Sequence, residues 1–390
     1  MFMTTIRNVV EEKKKPVKDA CLFYGYPTSI NNAWSVDGAV DFFKQYDIVV
    51  LGDQYQHPSH EEYKNTVNVV TKLRKEKPSL EIFGYVPLGQ IEPSTRLTVG
   101  QFKAYVDEWA TVGATGIFID EYGYDYKVTR ELQNDVVNHI HSKGMNCIAN
   151  SWNIDWVFRP SNVYLDWIDF NGNPNKVPAV INEKDYVMFE NMFYYQNDNG
   201  KQVVSDQWRV YEAVRYLQEK QSDLGNKTYK EVFGTQTFAL DCVMKKNQTY
   251  FTNGYIGSVV LGIDAFSVSP KNWGADTPKY DTYKKPSIPI STSKSVVATD
   301  YDGVTNAKFS KIIEDDTLDL YWKPDAKNAE NVNKGVHQVT VNDKPLDAEI
   351  GTNLQRPTIA PTGFQYYDTT IKKPIWRNGP KWYDAVGVEV

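Results

Sequence analysis

The chain of 390 residues has no apolar run long enough to span a membrane. Its first twenty residues carry the charged run Glu11-Glu12-Lys13-Lys14-Lys15 and no apolar core segment, so neither a secretory signal nor a membrane anchor is expected there. Lys and Arg, 43 against 49 Asp and Glu, are spread rather than clustered, which argues against nucleic acid or a membrane surface as partner. Cysteine is scarce. Cys21, Cys147 and Cys242 each sit beside apolar strand-like residues, so buried thiols are expected. No Gly-rich dinucleotide turn, Walker loop, Gly-x-Ser-x-Gly elbow or catalytic Cys context is present. Five histidines leave little for a metal centre. His57 and His60 stand near Asp53 at helical spacing, but no acidic pattern completes a familiar site, and His139 and His141, two apart on one helix, face different ways. No metal and no cofactor are expected.

Tyrosine and tryptophan, by contrast, are plentiful, with 26 and 10 copies. Such side chains suit core packing, and they also suit sugar rings, because each pairs a large apolar face with a polar handle. Short β-favouring runs alternate with longer segments of helical periodicity, the pattern of βα units around a parallel sheet. The strand candidates number eight: Ala20–Tyr24, Ile48–Leu51, Ile82–Val86, Gly116–Ile119, Asn146–Ala149, Tyr186–Phe189, Val232–Thr235 and Ala265–Val268. Helices are expected between them, for example from Ser59, with Glu62 completing a cap, and from Thr129 to a stop at Gly144. The fold class is therefore α/β, a (β/α)8 TIM barrel followed by a small β-rich C-terminal domain and an extended docking tail. The expected boundaries are an N-terminal extension over 1–18, the barrel over 19–271, a Pro- and Lys-rich linker over 272–289, the β-rich domain over 290–350 and the terminal segment over 351–390.

In this fold the working face lies at the C-terminal ends of the strands. The residues there include Tyr24, Asp53 and Tyr55, then Asp120 and Glu121, Asn150 and Trp152, Glu190 and Asn191, and Gln236. Carboxylates after the fourth and sixth strands, Asp120 and Glu190, could face each other across the mouth as glycoside hydrolysis requires. Glu190, among Phe189, Met192, Phe193 and two tyrosines, suits the proton donor, and Asp120 the nucleophile. The remaining eight would line the sugar sites, with Glu121 as a supporting group beside Asp120. An acid at a strand end is also often a helix cap or salt-bridge partner, and that reading stays open for each.

The segment Gly-Ala-Thr-Gly-Ile-Phe-Ile-Asp-Glu-Tyr-Gly-Tyr-Asp from Gly113 to Asp125 resembles the fourth strand of glycoside hydrolase family 114, the endo-α-1,4-polygalactosaminidases. The Phe-Tyr-Gly-Tyr around Tyr24 and the Val-Val-Leu-Gly-Asp ending at Asp53 fit the same pattern, over roughly Asp19 to Ser269. The resemblance implies a (β/α)8 barrel with Asp120 and Glu190 as the catalytic pair, and a substrate containing amino sugars. The long stretch from Arg159 to Asp185 departs from a minimal member of that family. Arg356-Pro-Thr, Pro361-Thr-Gly-Phe-Gln-Tyr-Tyr-Asp-Thr-Thr and Lys373-Pro-Ile-Trp-Arg-Asn-Gly-Pro-Lys-Trp-Tyr-Asp-Ala resemble the ending of tail and other structural proteins of phages of Gram-positive hosts. That resemblance implies assembly into a virion in the host cytoplasm, contact with other virion proteins through the C-terminal region, and action on a glycan outside the bacterial cell. A homo-oligomer is compatible with it. Two other readings remain at this point: a non-catalytic glycan-binding tail protein, and a metal-dependent phosphodiesterase acting on teichoic acid.

Overall fold

A computed structural model describes residues 17–52, 54–91, 96–160, 170–196, 202–205, 207–243, 246–275 and 278–285, and then 297–301, 307–313, 316–322, 338–341, 344–345, 349–351, 365–368 and 370–390. In chain order the first unit runs β1 (Lys18–Phe23), α1 (Val36–Phe43), β2 (Ile48–Leu51), α2 (Tyr63–Glu76), β3 (Glu81–Pro87), α3 (Val99–Val112), β4 (Gly116–Asp120), α4 (Arg130–Ser142), β5 (Asn146–Asn150), α5 (Asp155–Phe158) and β6 (Tyr186–Glu190). A hairpin of β7 (Tyr194–Gln196) and β8 (Gln202–Val204) follows, then α6 (Gln207–Gln218), α7 (Tyr229–Phe233), β9 (Gln236–Val243), α8 (Gln248–Leu261) and β10 (Ala265–Pro270). All but the hairpin strands close into a parallel barrel, as the alternating pattern predicts.

Alternate residues of each strand point inward and form one continuous core, including Leu22, Val50, Phe83, Phe118, Ile148, Met188, Phe238 and Leu240. Each such side chain, once fully buried, contributes about 1.5–3 kcal/mol. Local signals set the helix ends. Thr129 accepts from the Leu132 N–H at 3.2 Å, and Gly113 closes α3 in the left-handed region at φ 101°. The helix expected from Ser59 begins only at Tyr63, because residues 54–62 are spent on successive turns.

The seventh barrel strand lies later than its expected position. Val232–Thr235 looks strand-like, but the Thr228–Glu231 capping box starts a short helix there and Gly234, at φ 67°, ends it. The strand is instead Gln236–Val243, so Gln236 pairs with Tyr186, the first residue of β6. Gln236 therefore sits at the end of the barrel opposite the mouth. That corrects its expected role at a sugar site.

The seam between β1 and β10 is short, pairing only Lys18 with Ala265 and Asp19 with Phe266. Above it the Tyr24 N–H donates to the Trp273 carbonyl at 2.9 Å, and the Tyr280 hydroxyl lies 3.1 Å from Ser269 Oγ. Tyr280 is buried against the rings of Phe23, Phe42 and Tyr46, and Tyr283 stacks on Phe251 with centroids 4.9 Å apart. The start of the expected linker is thus part of the barrel unit, which holds the described residues up to 285.

The second unit holds the described residues from 297 onward. Strands β11 (Val297–Tyr301), β12 (Ala307–Ile313), β13 (Asp316–Trp322), β14 (Gln338–Val341) and β15 (Lys344–Pro345) form an antiparallel sheet. A second sheet joins β16 (Glu349–Gly351) to the antiparallel meander β17 (Gln365–Asp368), β18 (Lys373–Asn378) and β19 (Lys381–Asp384), over a small cluster of Tyr366, Ile375 and Trp382.

One glycine lets α3 close on the outside of the barrel. A Cβ on Gly84 would fall 2.1 Å from the buried Trp109 ring, whose Nε1 donates to the Tyr85 carbonyl at 3.3 Å, so α3 can lie this close to β3 only without a side chain at that position. Gly84→Ala should lower stability by about 1–3 kcal/mol and Gly84→Val by more, read as a fall in the denaturant midpoint at unchanged slope. An unaltered midpoint for both variants would show that the contact is not limiting.

Candidate active site

At the mouth the inward positions change from apolar to polar. Above Phe83 comes Tyr85, above Phe118 comes Asp120, above Ile148 comes Asn150, and above Met188 comes Glu190. The side chain of Asn150 connects the two acids. Its Nδ2 donates to Oδ1 of Asp120 and to Oε2 of Glu190, at 2.9 Å each. The nitrogen must face them, because the amide oxygen would set lone pair against lone pair. Those two carboxylate oxygens therefore stand no farther apart than twice 2.9 Å.

The surroundings treat the two acids differently. Asp120 accepts three bonds, from the Tyr85 hydroxyl, from Asn150 and from the Glu121 N–H, all at 2.9 Å. Burial raises its pKa and those three donors oppose the rise. Glu190 has Asn150 and a longer bond of 3.3 Å from Asn191 Nδ2. Burial raises its pKa, the charge of Asp120 raises it further, and the Asn150 bond and Arg209 oppose. Asp120 is thus the better-stabilised anion and Glu190 the better reservoir for a proton.

Each acid is followed by a non-glycine residue in the left-handed region, Glu121 at φ 56° and Asn191 at φ 51°. Such residues cost of order 1–3 kcal/mol and persist only where the surroundings hold them. Glu121 is held from the β3 side. The Gly89 backbone bonds its carboxylate, and a Cβ on Gly89 would lie 2.0 Å from Glu121 Oε2. Its pKa is raised by burial and then by Asp120.

Of the other expected sugar contacts, Tyr24 packs on the barrel core and meets Tyr85 edge-on at 5.1 Å. Tyr55 is buried with its hydroxyl on the Tyr24 carbonyl at 2.6 Å, so it braces that loop rather than presenting a face. Asn150 spends both amide hydrogens on the acids, which leaves it a spacer with only its oxygen free of that duty. Trp152 lies under the guanidinium of Arg209, 3.6 Å from the ring centroid. Gln236 is at the far end of the barrel, and Asp53 lies outside the described residues. Sequence reasoning passed over Tyr85, Tyr126 and Arg209. Tyr85 is on the inward phase of β3, two residues before its end, so the alternation carried the signal. Tyr126, in the turn after β4, has its phenol pushed up to about 12, first by burial and then by Glu121, Asp125, Asp120 and Glu190, which keeps it a neutral donor. Arg209 arrives from α6 and donates to the Glu190 carbonyl at 2.9 Å, with no local pattern to announce it.

The histidines of the barrel unit are engaged elsewhere. His57 pairs with Glu108, and His60 Nδ1 accepts the Glu62 N–H at 3.1 Å. His141, Cys147 and Asp185 bring three ligand-type atoms within 4.8 Å of one another. They sit at the end opposite the mouth, where Asp185 already accepts the Cys147 and Asn182 N–H groups and meets His141 at 3.0 Å.

Neither the family models nor the curated proteins give a match. Among solved structures, the glycoside hydrolase domain of PelA from Pseudomonas aeruginosa is 12% identical over 68% of this chain and 98% of that one, at a TM-score of 0.40. N-acetylneuraminate lyase from Fusobacterium nucleatum is 11% identical over 66% of this chain and 70% of that one, at a TM-score of 0.31. These are distant likenesses, far below the level at which an activity passes from one protein to another.

Removing one donor tests the asymmetry of the pair. In Tyr85→Phe the Asp120 carboxyl should titrate at higher pH than in the unaltered protein, because a bond to its charged form is gone. The shift is read by 13C NMR on labelled aspartate, with Asp120 assigned by the signal lost in Asp120→Asn. An unmoved titration would remove Tyr85 from the site.

Proposed function

We propose that the barrel is a glycoside hydrolase acting on a bacterial surface polysaccharide, with Asp120 as nucleophile and Glu190 as acid/base. The observation that carries this reading is the Asn150 bridge, which brings two carboxylates with unequal sets of donors within twice 2.9 Å at the mouth of the barrel. Retaining hydrolysis uses carboxyls about 5–5.5 Å apart, whereas an inverting pair needs about 6.5–9.5 Å to admit a water. The close spacing therefore favours retention. Asp120, ionised, attacks the anomeric carbon while Glu190 delivers its proton to the leaving oxygen. A water then gives a proton back to Glu190 and its oxygen displaces Asp120 from the sugar. Tyr24, Tyr126 and Trp152 supply aromatic surface near the pair, and the resemblance noted for the fourth strand favours amino sugars in the substrate. A binding platform would gain little from two half-buried acids held this close, since their mutual repulsion has to be offset.

In release of reducing ends from wall glycan of a Gram-positive host, Glu190→Gln should lose about 10²–10⁴-fold in turnover and Asp120→Asn at least as much. The first product, followed by 1H NMR, should keep the anomeric configuration of the substrate. Unchanged release by both variants would leave only the glycan-binding reading. The sequence after Arg356 supports a place in a virus particle and contacts with other virion proteins. Purified particles should then contain this chain, detected by mass spectrometry, and its absence from them would remove that setting while leaving the chemistry intact.

A further inference from the structure

The acid at the end of β6 is backed by a cation from another element. Arg209, in the first turn of α6, lays its guanidinium on the Trp152 ring at 3.6 Å and donates from Nη1 to the main-chain oxygen of Glu190 at 2.9 Å. Glu190, Arg209 and Trp152 line one recess, together with Ser151, Phe189 and Glu212. We propose that Arg209 is a positioning residue for Glu190: pinned on Trp152, it fixes the strand end that carries the proton donor and supplies the positive charge against which that donor works. The proposal rests on the reading of Glu190 as acid/base.

The groups facing Glu190 come from four directions. Asp120 is on β4, Tyr126 in the turn that follows it, Asn150 on β5, and Arg209 and Glu212 on α6, with Asn191 next along the chain. Glu212 is already engaged, accepting the Ile154 N–H at 2.7 Å and pairing with Arg215 at 3.1 Å. Within that facing set Arg209 is the cation, and a guanidinium keeps its charge throughout the working range. Its effect on Glu190 opposes those of burial and Asp120. The opposition suits a group that must hold a proton and then release it: burial and the neighbouring anion keep the proton on, and a fixed cation keeps the acid strong enough to let go. The cation–π contact with Trp152 holds the guanidinium in place, a job an ammonium does less well.

The test follows Glu190 directly, by 13C NMR on carboxyl-labelled glutamate with its signal assigned by loss in Glu190→Gln. In Arg209→Met the Glu190 carboxyl should titrate at higher pH than in the unaltered protein. In Arg209→Lys, which keeps the charge, it should stay near the original value, and in Trp152→Leu it should move as in Arg209→Met but by less. The high-pH limb of kcat/KM should rise with it in Arg209→Met while the low-pH limb stays, and kcat should fall by up to about a hundredfold from misplacement of the acid. An unshifted Glu190 titration in both Arg209→Met and Trp152→Leu overturns the proposal, whatever happens to turnover. If Arg209→Met does not fold, Trp152→Leu decides alone. Full turnover in Glu190→Gln would instead sink the reading of Glu190 as the acid, and the titration would show that separately.

Discussion

Two half-buried carboxylates need a reason to stay close, and the Asn150 amide provides it. Unit charges separated by twice 2.9 Å repel by about 3 kcal/mol at an effective dielectric near 20. A hydrogen bond to a charged group returns about 1.5–3 kcal/mol, so the two bonds from one amide are of the right size to offset that repulsion. They do not abolish it. The residual strain is relieved when one acid keeps a proton, and the extra donors on Asp120 favour Glu190 as the one that keeps it. The asymmetry that acid/base chemistry needs thus follows from a count of donors on either side of a single side chain.

The opposite end of the barrel is built on another plan. Lys18, Glu81 and Tyr186 join in a polar plug below the core, and Asp185 ties α4, β5 and the approach to β6 together through His141, Cys147 and Asn182. Those networks are closed, with partners already committed. At the mouth, by contrast, the chain turns left-handed just after each acid, and part of the polar inventory faces outward. Backbone strain thus gathers at the mouth, as expected where a rigid scaffold carries a working face.

Much of this was legible from residues alone. The barrel could be counted because apolar runs such as Gly116–Asp120 alternate with capped helices, and because an acid closing an apolar strand is conspicuous. The misplaced seventh strand shows the limit of that approach. Val-Phe-Gly-Thr has the composition of a strand, but the cap at Thr228 and the left-handed Gly234 outweigh it, and a shift of a few residues sent Gln236 to the wrong end. Tyr85 was within reach of the period-two alternation, since Phe83 beneath it is core. Arg209 was not, because it meets Glu190 through tertiary packing between α6 and β6. The role of Asn150 as a spacer arises only in the folded barrel, since a sequence shows an amide at a strand end but not what stands on either side of it.

Tyr280 carries a last consequence. The first and last barrel strands share only two residue pairs, and the gap above them is filled by a side chain that arrives after the final strand has ended. The ring behaves like a hoop whose clasp comes late along the chain. During synthesis the first strand must wait, unpaired on that edge, until the last strand has been made, and a fragment cut at the end of β10 would be a hoop without its pin.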